Sequence, residues 1–332
     1  MKLSNFFIRF STRISTLLML GLLANAGSIL SANAQSTDSG VAQKTFATPD
    51  DAITALRTAT ATGDKAALHD IFGPDVDGML TGDPVQDANN AHRFAAAMAQ
   101  SCNPVKDDSG NITLEVGTND WPMPVPLVQT NGQWYFDTAA GKEEVISRHI
   151  GKDELHAIGV CRAYVKAQQQ YASMNPEGNA GTNYALHFKS TAGKKDGLYW
   201  PVADNTEPAS PFGPLVAEAT AEGFGHSEGS GRKPFHGYYF RILTAQGDAA
   251  PGGKMNYLSN GQLTGGFALV AYPENWDKSG IMTFIVGQDG QVYQQNLGEK
   301  TAKLARKIKA YNPDSDWTLV PDEGVPDAAL EK

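Results

Sequence analysis

The pentapeptide Gly225-His226-Ser227-Glu228-Gly229 matches the nucleophile-elbow pattern of serine hydrolases. In that mechanism a strand precedes the serine and a helix follows it, so that a strained turn exposes the hydroxyl above a sheet. Here the flanking residues, 221–224 and 230–234, each contain a glycine, the second ends in Pro234, and they fit neither element. We therefore predict a flexible loop at this position, and we assign no catalytic residue to it.

The histidines show no metal-binding spacing. No two of them are four residues apart, which is the spacing of a zinc-binding helix; they lie at positions 69, 92, 149, 156, 187, 226 and 236. His226, Glu228 and His236 could still converge on a metal ion. In the alternative interpretation His226 is solvated and His236 is a polar cap at the start of a strand. We predict no metal site and no cofactor.

Two carboxylates, Glu218 and Glu222, would lie on one face of a helix because they are four residues apart. General acid–base catalysis would require one of them to be shielded from water. The neighbouring alanines and glycines instead favour a solvated acidic face, and we predict no catalytic role for either residue.

Aromatic and glycine residues form the candidate binding surface. Glycines within strands let a ligand or a second backbone approach closely, and neighbouring aromatic rings supply contact area. The candidate residues are Phe235, His236, Tyr238, Tyr239, Gly265, Gly266 and Trp121. The glycines could equally relieve crowding where the sheet bends, and this alternative stays open.

The N-terminal 34 residues are typical of a secretory signal peptide. Lys2, Arg9 and Arg13 precede an apolar stretch over residues 14–23, and Ala-Asn-Ala triplets end at Ala26 and Ala34. We expect cleavage after Ala34 and a periplasmic or secreted protein; a retained anchor is the alternative, although the apolar stretch is short for one.

Cleavage would change the net charge from −9 to −12, because the removed segment carries three basic residues and no acidic one. Binding to nucleic acid would need a basic surface, so we predict no such partner. The sequence also predicts no transmembrane anchor once the signal peptide is removed.

Export would place Cys102 and Cys161 in an oxidising compartment, where they could form a disulfide. Cys161 also shares a predicted helical face with Ile158 and Val165, which is typical of a buried, inert thiol. Both interpretations stay open.

Hydrophobic periodicity predicts an α+β fold in two domains. After a linker at 35–45, helices and a curved antiparallel sheet form a domain over 46–140. Its first helix is predicted to start at Thr48 and Pro49, and Ile112, Leu114 and Val116 alternate with polar residues as in a strand. Asn131-Gly132 predicts a hairpin. The second domain, over 142–320, packs a long helix, interrupted at Gly151, on an antiparallel meander; it contains a mostly irregular surface excursion over 175–234. An acidic tail covers 321–332.

The runs Pro234-Phe235-His236-Gly237-Tyr238-Tyr239-Phe240-Arg241 and Phe136-Asp137-Thr138-Ala139-Ala140-Gly141-Lys142 resemble a bacterial exported family known as domain of unknown function 2950. This resemblance covers nearly the whole chain after the signal peptide and implies an envelope protein, but no catalytic residue. The first domain also resembles the cone of nuclear transport factor 2 and ketosteroid isomerase. The second is similar to the headpiece of type IV pilins and pseudopilins, which implies shape only.

We therefore expect a non-catalytic binding or scaffold protein of the cell envelope, with a protein partner there. The alternative is a small-ligand carrier, or an isomerase or hydrolase, that uses a cavity in the N-terminal domain. Trp121, Trp134 and either Asp120 or Asp137 would line that cavity; the alternative is that both tryptophans pack in the core. We also expect that no group of histidines and acids is sheltered from water between the two domains.

Overall fold

The computed structural model describes residues 43–202, 208–222 and 233–321. These residues belong to one compact unit, and its helices and antiparallel sheets confirm the α+β class. The predicted signal peptide, nearly all of the linker and nearly all of the acidic tail lie outside the described residues. So does the 225–229 pentapeptide, with His226 and Glu228.

The described ranges contain two larger sheets and six α-helices. They are α1 (Pro49–Thr62), α2 (Lys65–Phe72), α3 (Pro84–Gln100), α4 (Thr138–Met174), α5 (Gly213–Ala221) and α6 (Thr301–Ala305). Two 3-10 turns accompany them, Pro74–Met79 and Gly298–Lys300. Helix α1 begins as the sequence predicts: Pro49 lies in its first turn, and the Thr48 side chain accepts a hydrogen bond from the Asp51 amide.

The first sheet is antiparallel, with strand order β1-β2-β4-β5 and β3 paired to β2. Its strands are β1 (Cys102–Lys106), β2 (Ile112–Val116), β3 (Trp121–Pro122), β4 (Leu127–Thr130) and β5 (Gln133–Phe136). Asn131 and Gly132 both have positive φ in the β4–β5 hairpin, as the sequence predicts for this dipeptide. We call residues 43–137 the N-terminal lobe.

The second large sheet is an antiparallel meander with strand order β16-β15-β14-β13-β8. Its strands are β8 (Tyr238–Leu243), β13 (Ala268–Pro273), β14 (Met282–Gly287), β15 (Val292–Asn296) and β16 (Thr318–Leu319). Three two-stranded pairs flank it: β6 (His187–Lys189) with β7 (Gly197–Tyr199), β9 (Ala245–Gln246) with β10 (Met255–Asn256), and β11 (Leu258–Ser259) with β12 (Gln262–Leu263). Residues 175–321 form the C-terminal lobe.

Side chains fill the interior of the N-terminal lobe. Ile112, Leu114 and Val116 alternate inward along β2, and Trp134 and Phe136 are buried in the same cluster. Trp134 therefore packs in the core, as the structural interpretation of this residue predicts, and does not line an open cavity. Of the two candidate carboxylates, Asp120 is exposed in a turn, and Asp137 is the N-cap residue of α4.

Helix α4 joins the two lobes as one unbroken helix of 37 residues. The predicted interruption at Gly151 was wrong, because this exposed glycine continues the helix with open space around its Cα. A glycine inside a helix lowers stability without necessarily ending the helix. The predicted domain boundary between 140 and 142 falls inside the first turn of α4, and it remains a prediction.

We predict opposite effects for alanine at the two glycines of α4 near the N-terminal lobe. A Cβ at Gly141 would lie 2.8 Å from the Val125 Cα, so Gly141→Ala should lower the free energy of unfolding by about 2 kcal/mol through overpacking. Gly151→Ala should raise it by up to about 1 kcal/mol through helix propensity. Urea unfolding of both variants checks this; equal effects of the two substitutions would contradict it.

The C-terminal lobe has a hydrophobic core on each face of its sheet. Along β13, Leu269 and Ala271 face the cluster that contains Tyr164 of α4, whereas Val270 and Tyr272 belong to the opposite cluster. Every residue of β13 is consequently buried. This two-sided burial explains why the strand is a continuous apolar run.

The segment from 175 to 234 differs from the irregular surface excursion that we predicted. It contains the parallel pair β6–β7 and helix α5, and it buries Leu198, Trp200 and Phe212 in the core beside α4. Within the described ranges, no helix combines the length and the apolar character that a membrane span requires.

Candidate functional site between the lobes

Helices α3 and α4 bring polar faces together at the junction of the lobes. Gln86, Asn89 and Arg93 are spaced three and four residues apart on α3, and His149, Asp153 and His156 are spaced four and three apart on α4. Each triplet therefore lies on one helical face. The Gln86 side-chain amide donates a hydrogen bond of 2.5 Å to Oδ1 of Asp153, which joins the two faces.

Asp153 is the most deeply buried charged residue of this junction. It has no exposed surface, and Nε2 of His149 lies 3.0 Å from its Oδ2. Burial raises the pKa of the Asp153 carboxyl, although His149 and Gln86 partly oppose this shift. The carboxyl group is thus held between an imidazole and an amide and has no access to water.

A turn before β8 closes the site from the C-terminal lobe. Phe235 and Tyr238 exchange two backbone hydrogen bonds across it, while His236 and Gly237 both have positive φ. A Cβ at Gly237 would lie 2.7 Å from Oδ2 of Asp153, so only glycine allows this approach. The Ser279 hydroxyl donates to the Gly237 carbonyl at 2.9 Å and fixes the turn.

The turn places His236 between a second imidazole and a carboxylate. The rings of His236 and His156 meet edge to face, with centroids 4.0 Å apart, and Nε2 of His236 lies 2.8 Å from Oε2 of Glu222. Glu222 follows the end of α5, where its carbonyl accepts a hydrogen bond of 2.9 Å from the Asn89 amide. Elements from both lobes therefore meet at these side chains.

The environment shifts the pKa values of these groups. Burial, aided by Lys152 and Arg93, lowers the pKa of His156 to about 4. Burial and the neighbouring His156, Lys152 and Arg93 lower the pKa of His236 to about 3. Burial also lowers the pKa of Lys152 and raises that of Glu222. At neutral pH both imidazoles are therefore uncharged and able to donate and accept a hydrogen bond.

We call this group the inter-lobe site. Its members are Gln86, Asn89, Arg93, His149, Lys152, Asp153, His156, Glu222 and His236. Imidazoles, an amine and carboxyl groups with shifted pKa values can exchange protons with a bound molecule. Over the residues that the structure describes, no three His, Cys, Asp or Glu side chains are arranged to hold a metal ion.

The site contradicts two of our expectations. A sheltered group of histidines and acids does exist between the lobes, and Glu222 is half-buried against His236 instead of lying on a solvated face. The sequence did contain a signal for part of this, since His149 and Asp153 are four residues apart. A spacing rule for paired histidines does not detect this pair of histidine and aspartate.

The predicted binding residues lie in different surroundings. The Phe235 ring contacts that of His236, whereas the hydroxyls of Tyr238 and Tyr239 donate to the Met282 carbonyl and the Glu274 carboxylate.

The remaining candidates have contacts elsewhere. Gly265 and Gly266 pack against Tyr257, where Gly266 has positive φ. Trp121 keeps 41% of its surface exposed, and the Arg148 guanidinium lies over its ring. Of the predicted binding residues, His236 is thus the member of the inter-lobe site, and Phe235 is its neighbour.

Both cysteines are free thiols in the structure, so the possible disulfide is not formed. Cys102 packs against the core of the N-terminal lobe, and Cys161 is fully buried in the core beside α4. Burial raises the pKa of both thiols, that of Cys161 to about 12, which makes the thiolate scarce at neutral pH.

A family model described as "Protein of unknown function (DUF2950)" matches residues 43–320. No curated protein and no solved structure matches the chain, and the resemblances to pilin headpieces and to the nuclear transport factor 2 cone therefore remain predictions.

Proposed function

Because the chain belongs to the DUF2950 family, whose description assigns no activity, we propose a function from the inter-lobe site: this is an exported, periplasmic protein that binds a small ligand between its lobes. The single observation that carries the proposal is the complete burial of Asp153 beside His149 and Gln86, next to the contact between His156 and His236.

Stability alone does not account for such a cluster. Removing a carboxylate and several imidazoles from water costs free energy, and apolar side chains of similar volume often stabilise a junction as well or better. Groups with shifted pKa values that collect in one sheltered place are a common mark of binding and catalytic sites. The neutral imidazoles could also transfer protons to and from the ligand.

Export rests on the sequence features of residues 1–34, namely the basic start, the apolar stretch and Ala34. The proposal predicts that protein recovered from the periplasm begins at Gln35. An N-terminal sequence that begins at residue 1 would contradict cleavage of this segment.

The ligand-binding proposal is tested with the purified chain of residues 35–332. The protein is incubated with a bacterial periplasmic extract and washed, and the retained small molecules are identified by mass spectrometry. We expect at least one compound to be retained by the wild type and lost from His236→Asn, a substitution chosen because asparagine tolerates positive φ. The matched control is His92→Gln, an exposed histidine of α3, which should retain the compound. Retention of no compound would contradict the proposal.

A second candidate function is the scaffold role that the sequence predicts, with an envelope protein as partner. The exposed Trp121, with Arg148 over its ring, favours this candidate because tryptophan and arginine are enriched at the centres of protein interfaces. Crosslinking in intact cells tests it: a partner crosslinked to the wild type should be lost from Trp121→Ala. A partner that crosslinks equally to both would contradict a role for Trp121.

A further inference from the structure

We propose that Glu154 of α4 and Ser279 of the β13–β14 loop, residues 274–281, are positioning residues that hold His236 in place at the inter-lobe site. Neither side chain is a member of the site. The inference rests on the proposed function, because it concerns how the protein fixes one of the imidazoles that face the ligand.

The backbone of His236 needs support from its surroundings. Phe235 and Tyr238 exchange two backbone hydrogen bonds, and the two residues between them, His236 and Gly237, have φ of 44° and 68°. Hairpin turns with positive φ at both central positions favour asparagine before glycine. A histidine in this conformation is strained, and it persists only where the surrounding structure determines its position.

The β13–β14 loop supports this turn from the C-terminal lobe. The hydroxyl of the buried Ser279 donates to the Gly237 carbonyl at 2.9 Å, and the Glu274 amide donates to the same carbonyl at 2.8 Å. A further link joins the next residue of the turn to the start of β14, since the Tyr238 hydroxyl donates to the Met282 carbonyl at 2.9 Å. The conformation of the loop therefore determines that of the turn.

Glu154 anchors the same loop to α4. One oxygen of its carboxylate, Oε1, accepts hydrogen bonds from the Ile281 amide at 2.9 Å and from the Met282 amide at 3.0 Å. Hydrogen bonds between backbone N–H groups and a carboxylate are charge-assisted and stronger than neutral ones. Glu154 also follows Asp153 directly in the chain. The helix that carries the buried carboxyl group of the site thus also holds the loop that supports His236.

The packing between the loop and the turn is tight. A Cβ at Gly237 would lie 2.6 Å from Cβ of Ser279 and 2.7 Å from Oδ2 of Asp153. A Cβ at Gly280 would lie 2.6 Å from Cζ of Tyr238. Movement of the loop would therefore displace the turn.

Displacement of the turn would change the environment of the His236 imidazole. Its Nε2 lies 2.8 Å from Oε2 of Glu222. Burial lowers the pKa of this imidazole to about 3, and so do neighbouring groups that carry or can acquire positive charge, namely His156, Lys152, Arg93 and His149. A looser turn would expose the ring to water and raise its pKa toward the ordinary value of about 6.5.

The experiment compares Glu154→Ala with Glu154→Gln in the chain of residues 35–332, and the pKa of the His236 imidazole is measured from its ¹⁵N resonances. Alanine removes the acceptor of both amides, whereas glutamine retains an oxygen that can accept them. We expect the pKa to rise by about 1 or more in Glu154→Ala and to stay close to the wild-type value in Glu154→Gln. Glu143→Ala, which removes an exposed carboxylate of the same helix, should leave it unchanged.

The direction of the change separates positioning from a direct effect of charge. If Glu154 acted only through its negative charge, both substitutions would lower the pKa of His236, because a nearby negative charge favours the imidazolium ion. Ser279→Ala tests the other end of the path and is a second variant in case Glu154→Ala does not fold. It removes one of two donors to the Gly237 carbonyl, so it should raise the pKa by a smaller amount.

An unchanged or lowered pKa of His236 in the alanine variants, or an equal rise in Glu154→Gln, would overturn the inference. The extract experiment separates this failure from that of the proposed function. We expect the compound retained by the wild type to be kept by Glu154→Gln and lost from Glu154→Ala. If Glu154→Ala keeps it, the ligand-binding proposal stands and the positioning role is wrong. If the wild type retains nothing although the pKa rises in Glu154→Ala, the two residues position His236 and the proposed function fails.

Discussion

Lowering the pH from 7 to 5 should destabilise the wild type more than variants that lack His156 or His236. In an unfolded chain a histidine has a pKa of about 6.5, whereas burial lowers the pKa of His156 to about 4 and of His236 to about 3 in the folded protein. Below pH 6.5 the unfolded state therefore binds protons that the folded state does not. The resulting stability is present above pH 6.5. It is lost as the pH falls toward the pKa values that the two histidines have in the folded protein.

The expected loss between pH 7 and pH 5 is about 2 kcal/mol from His236 and about 1 kcal/mol from the less buried His156. The neighbouring His156, Lys152, Arg93 and His149 add to the lowering of the His236 pKa by burial and so strengthen this effect. Glu222 and Asp153 oppose it, because their raised pKa values make the folded state bind protons more readily than the unfolded state at acidic pH.

Comparison of variants isolates the contribution of the imidazoles. Urea unfolding at pH 7 and pH 5 is measured for the wild type, His156→Gln and His236→Asn, with His92→Gln as the control. We expect a smaller change with pH in the first two variants, by about 1 and about 2 kcal/mol respectively, and an unaltered change in the control. The same pH dependence in all four proteins would contradict the burial of these imidazoles.

The second large effect is expected for Asp153→Ala, which should lower the free energy of unfolding by about 3–5 kcal/mol. The substitution removes the acceptor for the Gln86 amide and leaves the buried Nε2 of His149 without its carboxylate neighbour. Buried polar groups that lose their partners carry the full cost of their desolvation.

Two comparisons sharpen the Asp153 prediction. Asp153→Asn retains the shape and one carbonyl oxygen, so it should cost less than Asp153→Ala. Glu143→Ala removes an exposed carboxylate of the same helix and should change stability by less than about 0.5 kcal/mol. The measurement is chemical unfolding at pH 7. If Asp153→Ala lowers the free energy of unfolding as little as Glu143→Ala does, the Asp153 carboxyl group makes no net contribution to the stability of the junction.

Local patterns predicted the secondary structure of the N-terminal lobe well. The Thr48–Asp51 cap, the alternation along β2 and the hairpin at Asn131 and Gly132 all depend on residues close in sequence. The continuity of α4 was not predictable in this way. A glycine such as Gly151 has a modest cost within a helix, and packing along 37 residues outweighs it.

The inter-lobe site was harder to predict, because it depends on which helical faces and turns pack against each other. Gln86 and Asp153 are 67 residues apart, and Asn89 and Glu222 are 133 residues apart. Periodicity assigns each residue to a face of its own helix but does not pair that face with another element. His236 was predicted as a binding residue from the aromatic and glycine residues around it, and its contacts with His156 and Glu222 emerged only from the fold.

The most direct test of a sheltered, ligand-binding cluster is a pH titration of the histidine ¹⁵N resonances by NMR, with and without the compound retained from the extract. We expect the imidazoles of His156 and His236 to be neutral at pH 5.5, and their resonances to move when that compound is added at pH 7. Protonation of both imidazoles near the ordinary value of about 6.5, with no change on addition of the compound, would contradict the existence of the site.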